Sequence, residues 1–395
     1  MSKFKCPYCF EEHELEDCVF VCPKDKCPRG FKNEDGSVSQ QNLSYCLNRC
    51  KKAAMQVSCP EESVMDKYKQ YVQKYQISAG TGTDLSLDIP ESIRKGDKTL
   101  TIAIVGGVYS GKSTYITTLI NKLDVELNNK FGSSLSPLNT ATEELYRQRY
   151  SNYIYRSNTV NDKTRANETI PPLMYRLEIP DERFPIIKKR VNLVFYDTAG
   201  EELRASEHIA KEKGYIPNAD LIILLLDPLQ MESVRERYAN KDALPPLSDS
   251  PTEMINRIAN VIKSVKKPIG KIGTPIAVAF SKVDILEECG FFDTDKNPIL
   301  EESSHLKNRA FSMNDHANTQ EIMNSLFEAV ARPNPVKNLK NQFRNYALFG
   351  FSAIGGTPDG TEIKELNTYR VLDPILWLLN RKHYIKTHKE EKIRR

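Results

Sequence analysis

One eight-residue string constrains this chain more than anything else in it: Gly106-Gly107-Val108-Tyr109-Ser110-Gly111-Lys112-Ser113, directly after the apolar run Thr99 to Val105. Glycines in such a string let backbone N–H groups turn inward around phosphate oxygens. A helix beginning at Lys112 points its positive dipole end at the same charge. Lys112 is then expected to reach the β and γ phosphates, and the Ser113 hydroxyl, with Thr114 beside it, to face a Mg²⁺ ion that prefers hard oxygen ligands. Gly106, Tyr109, Ser110 and Gly111 supply the cradle.

A strand followed by a phosphate loop and a helix needs a sheet to sit in, and the sequence provides one. Apolar runs at Thr99 to Val105, Leu173 to Ile179, Val191 to Tyr196, Leu221 to Leu226, Pro275 to Phe280 and Tyr346 to Phe351 alternate with helical stretches. That alternation specifies an α/β fold, a P-loop NTPase of three αβα layers with a mainly parallel sheet. The segments Asp124 to Thr159, Asp227 to Ile272 and Leu286 to Gln342 exceed ordinary connections and are expected to form extra helices or partner surfaces. No stretch supplies the ~18 uninterrupted apolar residues that a bilayer span requires. The start of the chain, with Cys6 and Cys9 and no apolar stretch, does not read as a secretory signal, so a cytoplasmic location is expected.

Further signals fall at the ends of later strands. Asp197-Thr198-Ala199-Gly200 closes the run Val191 to Tyr196; its carboxylate is placed to hold Mg²⁺ through a water, and Gly200 to offer an N–H to the γ-phosphate. Ser281-Lys282-Val283-Asp284 closes the next run but one. An Asp carboxylate accepts from both N1–H and the 2-amino group of guanine, a pair of donors that adenine lacks, and the Lys282 stem is expected to lie over the base. After Phe351, Ser352 and Ala353 bring a backbone N–H toward the guanine carbonyl oxygen. All of these sit at strand carboxyl ends, where open α/β sheets bind ligands.

In these residues, GGVYSGKS at 106 to 113, DTAGE at 197 to 201, SKVD at 281 to 284 and SAI at 352 to 354, the chain resembles the Ras-like GTPases of the TRAFAC clade over roughly residues 98 to 384. The resemblance implies GTP and GDP as ligands, Asp284 as guanine reader, Ser113, Asp197 and a switch threonine as Mg²⁺ groups, and a molecular switch acting on a protein partner. Thr169 stands in the appropriate place for that threonine, with Thr164 and Thr159 as alternatives. Two positions depart from the family. Ser281 replaces the usual Asn that braces the phosphate loop, and Glu201 stands where small members carry Gln to orient the attacking water. The architecture also resembles bacterial GTPases of the double-GTPase type, proposed to work in pairs in biological-conflict gene clusters. A translation- or RNA-associated GTPase is the alternative.

Eight of the nine cysteines lie between Cys6 and Cys59, and the ninth, Cys289, reads as structural. A cluster of this kind without a secretory signal binds metal more readily than it forms disulfides. Cys6-Pro7-Tyr8-Cys9 followed by Cys22 and Cys27 resembles a zinc ribbon with two knuckles, whose four thiolates suit tetrahedral Zn²⁺. Cys46, Cys50 and Cys59 form a possible second Zn²⁺ site, with Glu62 where a paired second cysteine would fall and Cys18 or His13 as substitutes; His13 otherwise reads as a surface residue. Chelation is expected to unfold residues 1 to 60 and to leave nucleotide binding at Lys112 largely intact.

Three parts follow: a cysteine module at 1–60, a connecting helix and linker at 61–97, and the GTPase domain at 98–395 with a basic tail. The helix carries an apolar face at Val64, Met65, Tyr68, Tyr71, Val72 and Tyr75, capped by Ser63, and the string Ser78 to Asp84 reads as a linker. Net charge is +4 from 56 basic and 52 acidic side chains. Residues 1 to 60 hold nine basic and eight acidic side chains. That balance is a poor footprint for phosphate backbones, so the module is expected to dock protein and not nucleic acid.

Overall fold

Leu221–Leu226 is apolar at every position and buried at every position, as a strand covered on both faces must be. In the computed structural model, which describes residues 3–22, 27, 29–33, 37–49, 56–78, 87–161, 168–181, 184–197, 214–241, 244–292 and 297–388, it lies inside a seven-stranded sheet. Four short strands precede the sheet: β1 (Phe4–Lys5), β2 (Glu12–His13), β3 (Val19–Val21) and β4 (Gln56–Ser58). The sheet strands are β5 (Thr99–Gly106), β6 (Ser134–Pro137), β7 (Leu173–Pro180), β8 (Lys188–Asp197), β9 (Leu221–Leu226), β10 (Ile276–Phe280) and β12 (Tyr346–Gly350), in the order β12-β10-β9-β5-β8-β7-β6. A separate two-residue pair joins β11 (Phe311–Ser312) to β13 (Thr387–His388).

The six expected strands are present. Val191 to Tyr196 is longer at both ends, as Lys188–Asp197, and the others shift by a residue at most. β5, β8, β9, β10 and β12 are parallel; β7 runs antiparallel to β8, and β6 antiparallel to β7. The unanticipated strand, Ser134–Pro137, is a short edge strand ending in proline, a composition that blunts further pairing and gives little β signal in sequence.

The long insertions form helices. Residues 140–156 make one turn-rich rod, α-helical over Thr140–Tyr146 and π-helical over Arg147–Arg156. Pro251–Lys266 starts from a reciprocal capping box between Ser250 and Glu253. Met313–Val330 and Pro335–Gln342 fill the third insertion. The connecting helix is Glu62–Lys74, so Ser63 lies inside its first turn and Glu61 takes the cap position instead. Its buried face, Met65, Tyr68, Tyr71 and Val72, packs into the same core as the sheet, with Val64 and Tyr75 at the margin. Most of the expected linker and the tail beyond His388 lie outside the described residues. Among the described residues, no helix is long and apolar enough to cross a membrane.

A buried ionic cluster holds the last turn of the fold. Arg370 donates to Asp315 at 2.8 and 2.9 Å and to Asp373 at 2.9 Å, and its Nε donates to the Pro298 carbonyl at 3.0 Å. His305 joins the two carboxylates in an arrangement of metal-ligand spacing, but the Arg370 guanidinium already supplies the compensating cation. Burial alone would raise the Asp315 carboxyl; hydrogen bonds and charge from Arg370 outweigh it and hold it below its ordinary value. A depressed carboxyl contributes stability above the unfolded-state pKa and loses it as pH falls through the folded one. Arg370→Met leaves two buried carboxylates unpaired, and a loss of about 3–5 kcal/mol is expected in urea unfolding at neutral pH. The deficit should shrink as the pH is lowered through the carboxylate range, where wild type loses the same contribution.

Candidate nucleotide and metal centres

The parallel register brings the motif residues to one edge. Gly106 lies opposite Leu225, Phe280 opposite Leu226 and Gly350, and Asp197 opposite Ile104, so β5, β8, β10 and β12 end close together at one edge of the sheet. The loop between β5 and the helix Lys112–Phe131 is tightly packed. A Cβ on Gly106 would stand 2.5 Å from Ser110 Oγ and 2.8 Å from the Leu225 carbonyl, so only glycine fits. Lys112, 7% exposed, curls back to donate to the carbonyls of Gly106 at 3.1 Å and Gly107 at 2.9 Å. Ser110 Oγ donates to the Gly107 carbonyl at 2.8 Å, and Gly111 opens the helix as its N-cap. Thr114 lies in the first turn, its carbonyl accepting from Thr118 at 3.1 Å, while Tyr109 stands half exposed on the outside of the loop.

Ser113 Oγ donates to Asp197 Oδ2 at 2.8 Å, which unites the two expected Mg²⁺ groups. A hydroxyl and a carboxylate facing one another are the hard oxygen donors that Mg²⁺ takes. A third group joins them that no motif announces: Tyr150, on the π-helix, directs its hydroxyl to the same Oδ2 at 3.2 Å. Burial first, and the Asp197 charge second, push the Tyr150 phenol well up, so it stays a donor. The π-helix is held in place by Asn161, whose amide donates to the carbonyls of Arg149 at 3.2 Å and Tyr150 at 3.1 Å while its oxygen accepts from Thr117 at 3.2 Å. Hydrophobic periodicity could have flagged Tyr150 as buried, but not as aimed at Asp197.

At the other end of the edge, Lys282 and Ser352 form a backbone bridge that joins the two base-side motifs. Asp284 Oδ1 is buried and has no hydrogen-bond partner among the described residues. Burial raises the Asp284 carboxyl, with the Ser352 side chain opposing. Ser281, 4% exposed, sits against the Leu226 carbonyl, and Ala353 is 6% exposed behind Ser352. Tyr115 stacks on Phe351 at 4.3 Å and donates to the Val371 carbonyl at 3.2 Å, tying the phosphate-loop helix to this end. Lys282 Nζ pairs with buried Asp227 at 2.6 Å, a partner that was not anticipated.

Thr169 is half-buried, and its neighbour Glu168 is bound at 2.6 Å by Lys74 and at 2.5 Å by Tyr75 of the connecting helix. Thr159 bridges to Glu362, which occupies it in a different loop. Thr164, Gly200, Glu201 and Cys50 lie outside the described residues.

The cysteines group differently from the expected order. Cys6, Cys9, His13 and Cys59 bring one donor atom each to within 4.8 Å of one another, whereas Cys22 packs with Cys46 and Val38 in a separate small cluster. The reason is the pairing of β3 with β4, which sets Val19 opposite Ser58 and Val21 opposite Gln56. Cys59 therefore emerges beside the start of β3, and Cys22 leaves from its far end, roughly 13 Å from Cys18 at about 3.3 Å per residue. Cys6 and Cys9 thus gain Cys59 and His13 in place of Cys22 and Cys27. His13 is not the surface residue expected but 8% exposed, and Glu62 is an exposed helix residue. Cys289 is buried, its thiol directed to the Val234 carbonyl, in keeping with a structural role.

The putative ESX-1 scaffolding and assembly protein SaeC of Mycolicibacterium smegmatis is 27% identical over 322 residues, 73% of this chain and 76% of that protein. Among solved structures, the small GTPase Arl6 of Trypanosoma brucei with a bound nucleotide analogue is 11% identical, covers 73% of this chain and 100% of its own, and gives a TM-score of 0.26. The GTP-bound GTPase-like domain of Ski7 from S. cerevisiae is 15% identical over 72% of this chain and 50% of its own, at a TM-score of 0.31. At scores this low, the strand order and not these neighbours carries the fold. The family description Double-GTPase 2 matches residues 100–332, from β5 past the helix Met313–Val330 and over more than half of the chain. The chain belongs to the Double-GTPase 2 family.

Proposed function

We propose that the protein binds GTP with Mg²⁺, hydrolyses it to GDP and phosphate, and acts on a protein partner according to the nucleotide it holds. The observation that carries this reading is Asp284 Oδ1, a buried carboxylate oxygen without a partner among the described residues, at the carboxyl end of β10. An unpaired buried acceptor costs free energy, and the N1–H and 2-amino donors of guanine would remove that cost while favouring the ionised carboxylate. Lys112 would exchange its loop carbonyls for the better acceptors of a phosphate chain, and Ser113 and Asp197 would hold the ion. Mg²⁺, when bound, neutralises charge on the β and γ phosphates. Thr169 would close over it only by parting Glu168 from Lys74 and Tyr75, so switch movement and the connecting helix are linked.

Gly200 and Glu201 are the expected groups around the attacking water. An ionised Glu201 accepts from water but cannot also donate to a phosphoryl oxygen, which predicts slow intrinsic turnover and stimulation by a partner. The name of the SaeC relative favours a partner within a multiprotein assembly, and the family description, Double-GTPase 2, favours a second GTPase as that partner; a conflict-system setting rests on the sequence resemblance alone. The even charge of residues 1–60 weighs against RNA.

Competition binding tests the base reading: GTP and GDP should displace a bound guanine nucleotide far better than ATP, and Asp284→Ala should remove ~2 to 4 kcal/mol of affinity. Equal affinity for ATP would sink it. Tyr150→Phe removes a hydrogen bond to a charged group, typically about 1.5–3 kcal/mol, so the Mg²⁺ concentration for half-maximal nucleotide retention should rise roughly tenfold or more. Single-turnover hydrolysis by the isolated protein should run well below ~1 s⁻¹, and a rate at or above that would show that no partner is needed.

A further inference from the structure

The cluster of Cys6, Cys9, His13 and Cys59 has the donor count and grouping of a single tetrahedral centre. Its donors lie within 4.8 Å of one another, and a tetrahedral ion with bonds of about 2.0–2.3 Å holds its donors roughly 3.5–3.8 Å apart. The backbone already has the curl of a metal knuckle. Cys6 N–H donates to the Glu11 carbonyl at 2.9 Å, Phe10 N–H to the Cys6 carbonyl at 3.0 Å, and Tyr8 N–H to Cys6 Sγ at 3.4 Å. His13 Nε2 stands 3.1 Å from Cys9 Sγ. Three sulfurs and one imidazole, with no carboxylate, are the donor set of a soft or borderline divalent ion.

What this knuckle touches is the magnesium side of the nucleotide site. Phe10 packs on Tyr196 with ring centroids 5.2 Å apart, and the buried Tyr196 hydroxyl donates to the Pro7 carbonyl, between two of the ligand cysteines. Tyr196 is the residue before Asp197 in β8. Tyr196 also stacks on Tyr215 with ring centroids 5.5 Å apart. Gly214 approaches Phe10 so closely that a Cβ would sit 2.9 Å from the ring, and Lys5 donates to Asn218 at 2.6 Å. A second route runs through Tyr8, which meets Tyr68 edge-on at 5.4 Å; Tyr68 lies on the helix whose Lys74 and Tyr75 hold Glu168.

We propose that Cys6, Cys9, His13 and Cys59 bind one divalent ion of the zinc class, and that this ion fixes Tyr196 and with it Asp197, so that metal occupancy sets the affinity for the magnesium nucleotide. The inference rests on the guanine-nucleotide reading above and departs from the expectation that metal removal would spare nucleotide binding. Its physical basis is continuity. The ion fixes the Cys6–Phe10 turn, that turn supplies both a ring face and a carbonyl to Tyr196, and Asp197 follows by one peptide unit. Coupling of this kind is reciprocal, so magnesium nucleotide would also tighten the hold on the soft ion.

The test uses the full-length chain and three forms of it: wild type, Cys59→Ser, and Cys22→Ser as a control in the separate cluster. Zinc per chain is measured by elemental analysis after dialysis, and the Mg²⁺ concentration for half-maximal retention of a fluorescent GDP is measured on the same samples. Cys59→Ser should lose one zinc equivalent and need about fivefold more Mg²⁺, or beyond, and Cys22→Ser should keep the wild-type Mg²⁺ requirement. Should Cys59→Ser fail to fold, a zinc-selective chelator applied to wild type at fixed Mg²⁺ must produce the same shift, and added zinc must reverse it. Unchanged zinc content in Cys59→Ser overturns the site. Zinc loss with an unchanged Mg²⁺ requirement overturns the coupling. A wild-type chain that holds zinc yet binds no guanine nucleotide overturns the guanine reading and the coupling with it, while the zinc count still decides the site.

Discussion

The parallel pairing of β9 with β5 on one side and β10 on the other is the constraint on which the rest of the structure depends. Parallel ladders bury both faces, which is why Leu221–Leu226 has no polar residue to spare and why the strands on either side are nearly as apolar. The pairing also fixes where each strand stops. Because Gly106, Leu226, Phe280 and Gly350 end in step, the ladder itself brings the phosphate loop, Asp227, Lys282 and Ser352 to one edge. The Lys282 to Asp227 pair and the stacking of Tyr115 on Phe351 then stitch neighbouring loops across that edge.

Around this scaffold the chain uses tyrosine where most proteins would use leucine. Tyr8, Tyr68, Tyr71, Tyr150, Tyr196 and Tyr215 are all buried between the N-terminal segments, the π-helix and β8. A buried phenol brings apolar area but also a hydroxyl that must find an acceptor. Here the acceptors are informative: the Pro7 carbonyl for Tyr196, the Asp88 carbonyl for Tyr8 and the Asp197 carboxylate for Tyr150. Each such bond penalises sliding of one element past another, because displacement strands a polar group in a dry layer. The layer is therefore more specific than an aliphatic core of equal area.

The sheet and the base and phosphate motifs were legible because each is written locally: an apolar run followed by a short string that names its own chemistry. Asp284, Lys112, Ser113 and Asp197 could be placed at or just beyond strand ends from their neighbours in sequence. The grouping of the cysteines was not legible, since spacing between cysteines says nothing of how the chain doubles back, and the pairing of β3 with β4 is what brings Cys59 and not Cys22 back to Cys6. His13 looked like a surface residue because the acids before it, Glu11 and Glu12, are exposed while it alternates inward on β2. Tyr150 was hidden for another reason: its partner lies 47 residues away, and its orientation depends on a helix type that propensity does not announce.

That helix type has a consequence for how the chain tolerates change. Over Arg147–Arg156 the backbone bonds step by five residues, as in Ser157 N–H to the Asn152 carbonyl at 3.0 Å, so each hydrogen-bonded turn encloses one residue more than in an α-helix. Removing a single residue from it would let the rod relax toward ordinary α geometry, with a different angular spacing between its side chains. Substitutions there are graded, but length is quantised: a one-codon deletion in 147–156 acts as a discrete change of gear, disengaging Tyr150 from Asp197 or Asn161 from the rod while leaving every motif string in the sequence intact.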